Sequence, residues 1–219
     1  MSWFRFNFEL GRKAEERSIE NPSVPISSDA ILEILGGYFA SAAGVSVNAE
    51  KAMEVPAVWA AVNFISGSFA SLPLHLYRRN GDERVRADGA LARLLGQAPN
   101  PETTSFDWRK GLMQDRCLKG RGYTWIERAG GRIVALWPLD PTCVRVKRAR
   151  GRMVYEYTET RFGRQVTVTY DAAEIIDIPW SLKPDRTTHR DPVMALRNSI
   201  GLTIGLEEYG SRFFQNGGV

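Results

Sequence analysis

Carboxylates are the side chains in this sequence that come closest to a reactive spacing. Asp171, Glu174 and Asp177 fall within seven residues of a strand-like stretch, and acids so placed could hold divalent cations for phosphodiester cleavage. No histidine or further acid completes the set. Two other acidic pairs, Glu15 with Glu16 and Glu207 with Glu208, sit in a charged segment and on the edge of an apolar helix, where solvation explains them. His75 and His189 are too scattered to form a zinc site or an evident general base, and His75 lies in an alternating strand pattern. Cys117 and Cys143 have no metal-ligand spacing and read as buried thiols. The serines of "SGSFAS" lie inside an apolar helix as small packing residues, not in a nucleophile elbow. The glycines of "GRG" and "GGR" lack the spacing and strand-to-helix context of a phosphate loop. Catalysis is therefore not expected, and no cofactor or metal is implied.

Charge gives a second kind of chemistry. The chain carries 29 Lys and Arg against 25 Asp and Glu, a net charge of +4, which permits contact with a polyanion without requiring it. Arg145, Lys147, Arg148, Arg150 and Arg152 fall in a stretch free of acids, as a basic hairpin tip that is either solvated or touches phosphates. Six tryptophans and ten phenylalanines could stack on bases, but Trp59, Trp125 and Trp137 each fall on an apolar face and read as core. No apolar run of about 18 residues suits a membrane span, so a soluble, intracellular chain with no membrane partner is expected.

The elements that would position these residues follow from periodicity. Residues 1 to 28 read as a loosely attached arm carrying Trp3, Phe4, Phe6 and Phe8, followed by a short helix from Ser28. "GYFASAAGVSVNAEKAM" reads as a loop. In "VPAVWAAVNFISGSFASLP", Val58, Val62, Ile65 and Phe69 recur at helical spacing, with Pro56 in the first turn, which predicts a buried helix. "LPLHLYRR" and "RVRAD" form a hairpin about Asn80-Gly81, and "GALARLLGQ" a brief helix. Thr104 caps the next helix, with Asp107 at its N-terminus and Gly120 and Gly122 ending it. Six short strands from Tyr123 to Trp180 predict one meandering antiparallel sheet. "DPVMALRNSIGLTIGLEEYGSRFFQNGGV" reads as a helix over 192–214. One flank carries Val193, Leu196, Ile200 and Ile204, the other Leu202, Leu206, Tyr209 and Phe213, so one flank can face the home core and the other a neighbour. The class is α+β, helices on a mostly antiparallel sheet followed by a long C-terminal helix.

In this order the motifs resemble the portal proteins of tailed bacteriophages and prophages, of the siphovirus-type capsid lineage. The resemblance rests on "SLPLHLYRR", "LLGQAPNPETTSFDWRKGL", "LKGRGYTWIER", "GRIVALWPLDPTCVRV", "EIIDIPW" and the final helix, in unbroken order over residues 55 to 218. Three departures stand out: Arg121-Gly122 in place of Asn-Ala, Asp177 where a histidine is frequent, and "THRDPV" without a glycine-serine before its proline.

The resemblance implies a homo-oligomeric ring, typically a dodecamer, at one vertex of a capsid, with double-stranded DNA crossing its channel during packaging and ejection. Implied partners are the terminase large subunit, the major capsid or scaffold protein and a head-completion or adaptor protein. The implied location is the virion, and host cytoplasm during assembly. The chain then corresponds to the first half of a portal protein: an arm and short helix over 1–50, a wing-like α+β domain over 51–190, and the start of a stem helix over 191–219. Lys147, Arg148, Arg150, Arg152, Arg197 and Arg212 are candidates to face the DNA backbone. Ile200, Leu202, Ile204, Leu206, Tyr209 and Phe213 are candidates for the subunit interface. Two other readings compete: a DNA-binding or metal-dependent DNA-processing protein of a mobile element, and a monomeric binding module.

Overall fold

The computed structural model describes residues 39–217; the arm, its four aromatic residues and the helix from Ser28 lie outside the described residues. The architecture is α+β, as the element pattern implied. Its first elements replace the expected loop. Strands β1 (Phe39–Ala40) and β2 (Ser46–Val47) form a small antiparallel hairpin, and helix α1 (Ala49–Glu54) follows. Asn48 caps α1, its side-chain oxygen accepting from the Lys51 N–H at 2.8 Å. Elements this short are held by tertiary burial more than by propensity: Val47, Ala52 and Val55 join Val193, Ile200 and Ile204 in one apolar cluster.

Helix α2 (Pro56–Ser71) starts on its proline. Its buried row is Val62, Ser66 and Ala70, which packs on α4 (Ser105–Lys119). Of the predicted stripe, Val62 is buried, while Ile65 and Phe69 are exposed, as is Trp59. A helix apolar nearly all round has no single stripe, and small side chains win the close contact because they let two helix axes approach. Strands β3 (Tyr77–Asn80) and β4 (Glu83–Arg86) follow. They turn on Gly81-Asp82, because Asn80 is already paired with Glu83; the turn lies one residue later than predicted. Helix α3 (Ala90–Gly96) precedes α4. At the start of α4, Thr104 Oγ1 accepts from the Asp107 N–H at 3.1 Å and donates to the Asp107 carboxylate at 2.6 Å. Gly120 ends the helix with φ 74°. Gly122, predicted to share that role, already lies in a strand; a Cβ there would come 2.7 Å from the Leu112 carbonyl oxygen, so glycine lets sheet and helix meet.

The six strands form two sheets, not one meander. Strands β5 (Arg121–Ala129) and β6 (Arg132–Leu139) are joined by β10 (Ile175–Pro179) on the free edge of β5, giving the order β10-β5-β6. After a 3-10 turn at Pro141–Cys143, strands β7 (Val144–Ala149), β8 (Arg152–Arg161) and β9 (Arg164–Asp171) form a separate antiparallel sheet. Alternation along the strands decides the layering. Ile126, Leu136, Ile176 and Ile178 turn to Trp108 and Leu112 of α4. Tyr123, Trp125, Leu139 and Ile175 turn the other way, onto Tyr155, Met153, Tyr157 and Tyr170 of the second sheet. The order of layers is helix, sheet, sheet. The tryptophan readings divide: Trp125 packs in this core, and Trp137 donates its indole N–H to Glu127 at 2.7 Å.

Arg121 and Asp177, residues from two of the three departures noted in the sequence, are partners. Both lie on the sandwich side of the β10-β5-β6 sheet. Arg121 Nε donates to Asp177 Oδ1 at 2.7 Å, and Nη1 to the Thr187 carbonyl at 2.7 Å. Tyr155 donates its hydroxyl to Asp177 Oδ2 at 2.8 Å, and the guanidinium lies 5.4 Å from the Tyr123 ring centre. The Arg121 side chain is 1% exposed and that of Asp177 13%. Burial pushes the Tyr123 and Tyr155 hydroxyls well above their ordinary range, so both stay protonated. The Thr187 contact draws the segment after β10 onto this cluster, and His189 Nε2 donates to the Lys119 carbonyl at 2.9 Å.

That contact gives a pH-dependent expectation. Burial, with a smaller contribution from Arg121, holds the His189 imidazole below the ordinary histidine value of about 6.5. The unfolded chain therefore takes up the proton first, and stability present above about pH 6.5 is lost as pH falls from there toward the depressed folded value. Denaturation midpoints between pH 7.5 and 5 should fall in the parent and fall less in His189→Asn; parallel slopes would rule the assignment out.

The C-terminal part is two helices, α5 (Pro192–Ala195) and α6 (Arg197–Gln215), not one over 192–214. Leu196 breaks them, with ψ 9°, while Asp191 caps α5 by accepting from the Met194 N–H at 3.1 Å.

Candidate functional site

The two flanks of the last helix meet different fates. Ile200 and Ile204 are 6% and 7% exposed and pack with Val47 and Val55. They belong to the chain's own core, which corrects their place among the interface candidates. Gly201 is buried beside them, and a Cβ there would strike Ser41, so α6 lies directly on the β1–β2 hairpin. Leu196, grouped with Ile200 and Ile204 by periodicity, is exposed because it sits at the break. Leu202, Leu206, Tyr209 and Phe213 recur at steps of four, three and four on the other side; Leu206 is 62% exposed and Tyr209 70%. Together they form a contiguous exposed apolar ridge, a feature that on soluble proteins marks sites of interaction.

The basic run occupies the β7–β8 hairpin. Lys147 is paired with Glu156 at 2.7 Å, leaving Arg148, Arg150 and Arg152 as exposed cations about the tip. Arg150 and Gly151 both have positive φ, 49° and 78°, as the two-residue turn of a tight hairpin requires. Arg197 and Arg212 are exposed at the two ends of α6, about 22 Å apart at 1.5 Å per residue. Arg212 lies 3.8 Å from Glu208. The six candidate cations thus fall on two separate elements.

The carboxylate reading loses its residues. Asp177 is committed to Arg121, and Glu174 accepts from the Asp171 N–H at 2.9 Å. Among the described residues no three His, Cys, Asp or Glu side chains lie together as a metal would need. Cys117 and Cys143 are half-buried, and burial pushes the Cys117 thiol up, away from the reactive thiolate. Also among the described residues, no helix is long and apolar enough to cross a membrane.

One feature was legible in the sequence only as a Phe-Gly turn between two strands, and a second was not legible at all. The β8–β9 hairpin turns on Phe162 and Gly163, both with positive φ, 49° and 74°, and the Phe162 side chain is fully exposed. Left-handed backbone costs a side-chain-bearing residue about 1–2 kcal/mol, and asparagine tolerates it best. Phe162→Asn should therefore raise the unfolding free energy by about 0.5–1 kcal/mol, read from denaturant melts; a loss of stability would mean that the ring has a local packing role. The second feature is an apolar groove of about 350 Å3 between α2, α4 and the start of α5–α6. No heptad or alternation pattern announces a groove built from three separated segments.

Comparison with known proteins gives a consistent picture. The Phage portal protein family model matches residues 56–219. The chain is 27% identical over 176 residues to the portal protein of Enterobacteria phage HK97, covering 78% of this chain and 40% of that one. It is 29% identical over 188 residues to the probable portal protein of Streptomyces phage phiC31, covering 82% and 40%. The chain thus spans about two fifths of the length of these relatives. Among solved structures, the neck of an empty GTA particle computed with C6 symmetry has a chain of similar fold, with TM-score 0.60 and 18% identity, covering 76% of this chain and 46% of that one.

Proposed function

Since the chain belongs to the phage portal protein family, we propose that it works as a wall segment of a portal ring at one capsid vertex of a virion, assembled in the host cytoplasm. In this reading twelve copies surround a channel for double-stranded DNA during packaging and ejection. The ring docks the terminase large subunit, contacts the major capsid or scaffold protein, and receives a head-completion or adaptor protein. The role is structural and needs no cofactor. Residues 51–190 serve as the wing, and the helix from Arg197 begins the stem.

The observation that carries the reading is the exposed ridge of Leu202, Leu206, Tyr209 and Phe213, opposite Ile200 and Ile204 on the same helix. One side fixes the helix to its own domain and leaves the other for a neighbouring copy. A head-to-tail contact that closes by rotation makes a ring. The DNA contact proposed for Lys147, Arg148, Arg150, Arg152, Arg197 and Arg212 is suitably sparse: Lys147 and Arg212 already have counter-charges, and the other cations stand on two separate elements. Each neutralised phosphate adds a salt-dependent increment of affinity, so few contacts let DNA slide.

Electron micrographs of the purified protein should show annuli with a central hole. Leu206→Asp with Tyr209→Asp, both on the exposed ridge, should abolish the annuli while leaving the circular dichroism spectrum unchanged. A solitary chain at high concentration would sink the reading.

A further inference from the structure

Phe162 stands at the apex of a ten- and eight-residue strand pair, fully exposed and in left-handed backbone. A turn needs neither the ring nor that strain, since asparagine fits the conformation and water alike. Elsewhere on the same chain lies the apolar groove, walled by Val58, Ile65, Cys117, Leu118, Trp180 and Val193 among others. A cavity of about 150 Å3 lined by such side chains takes up benzene, so a groove of about 350 Å3 has room for a phenyl ring and part of the turn that carries it. Charge is complementary as well. Arg161 is paired with Glu159, but Arg164, on the far side of the turn, has no counter-charge among the described residues. Asp191, adjoining the groove residues Pro192 and Val193, accepts from backbone N–H groups; His189 acts on it from nearby, but among the described residues no Lys or Arg lies within ion-pair distance.

From this match we infer that Phe162 of one copy seats in the groove of the next copy, with Arg164 directed to that copy's Asp191. The knob and the hole lie on different elements, so each copy gives one and receives one, which is the pattern of a heterologous contact able to close a ring. The inference rests on the ring reading and assigns it a second contact, besides the ridge on α6.

Cys117 in the groove wall supplies the test. In the full chain carrying Cys143→Ser, Phe162→Cys should crosslink under mild oxidation into a ladder of covalent oligomers on non-reducing gels. Adding Cys117→Ser should erase the ladder. Independently, Phe162→Asp should weaken association about 10- to 100-fold, the range expected for losing one buried aromatic side chain. Annuli from the parent chain, with no ladder and with unchanged association of Phe162→Asp, would overturn this contact and leave the ring reading standing. A parent chain that stays monomeric would bring down both.

Discussion

Replacing Asp177 with alanine is expected to lower the unfolding free energy by about 3–5 kcal/mol, the cost of leaving one member of a buried ion pair without its partner. The Arg121 guanidinium would remain inside the sandwich at 1% side-chain exposure, and the Tyr155 hydroxyl would lose its acceptor. In a domain of this size, each kcal/mol moves the melting temperature by about 2–4 °C, so the shift should reach roughly 6–20 °C. The double replacement Arg121→Met with Asp177→Leu removes both charges at similar volume and should lose less than Asp177→Ala alone. Calorimetry of the three proteins decides the matter: an unmoved melting temperature for Asp177→Ala would show that water reaches the guanidinium.

The second large effect falls on a backbone crossing. Gly120→Ala places a Cβ 2.3 Å from the Arg190 carbonyl oxygen and 2.8 Å from the His189 ring, on a residue with φ 74°. The conformational cost of about 1–2 kcal/mol adds to an overpacking cost of about 1–3 kcal/mol. Gly130→Ala is the matched control, because Gly130 has φ 57° but nothing within 4 Å of its would-be Cβ; it should lose the conformational part alone. Equal losses in urea titrations would show that residues 189 and 190 move aside freely. Since the Trp180 N–H also donates to the Gly120 carbonyl at 2.8 Å, the same substitution should loosen the approach to α5 and lower ring yield.

What the sequence disclosed follows from the range over which each signal acts. The cap at Thr104, the stop at Gly120 and the bounds of most strands depend on neighbours within a few residues, and they were legible. Pairing between distant strands was not: period-two alternation places Ile175 and Asp177 on one face, but nothing local says that β10 returns to β5 and leaves β7–β9 as a separate sheet. The Arg121–Asp177 pair spans 56 positions, so each residue read as an isolated departure. In α2, the stripe read from Val58, Val62, Ile65 and Phe69 passed over Ser66 and Ala70, although these two small residues join Val62 in the buried row. For the interface candidates, periodicity separated the two flanks of the last helix, apart from Leu196 at the break, but could not say which one the domain keeps.

The packing of Val47 against Ile200 and Ile204 has a consequence for biosynthesis. At about 5–20 residues per second, roughly 8–30 seconds separate the emergence of Val47 from that of its companions. Until then the nascent segment around α1 lacks its apolar cover and is open to chaperones, while the β5–β6 and β7–β9 hairpins can already form behind it. Ribosome pausing near the codons for residues 197–205 would prolong that window, which makes synonymous changes there a means of altering yield without altering the mature protein.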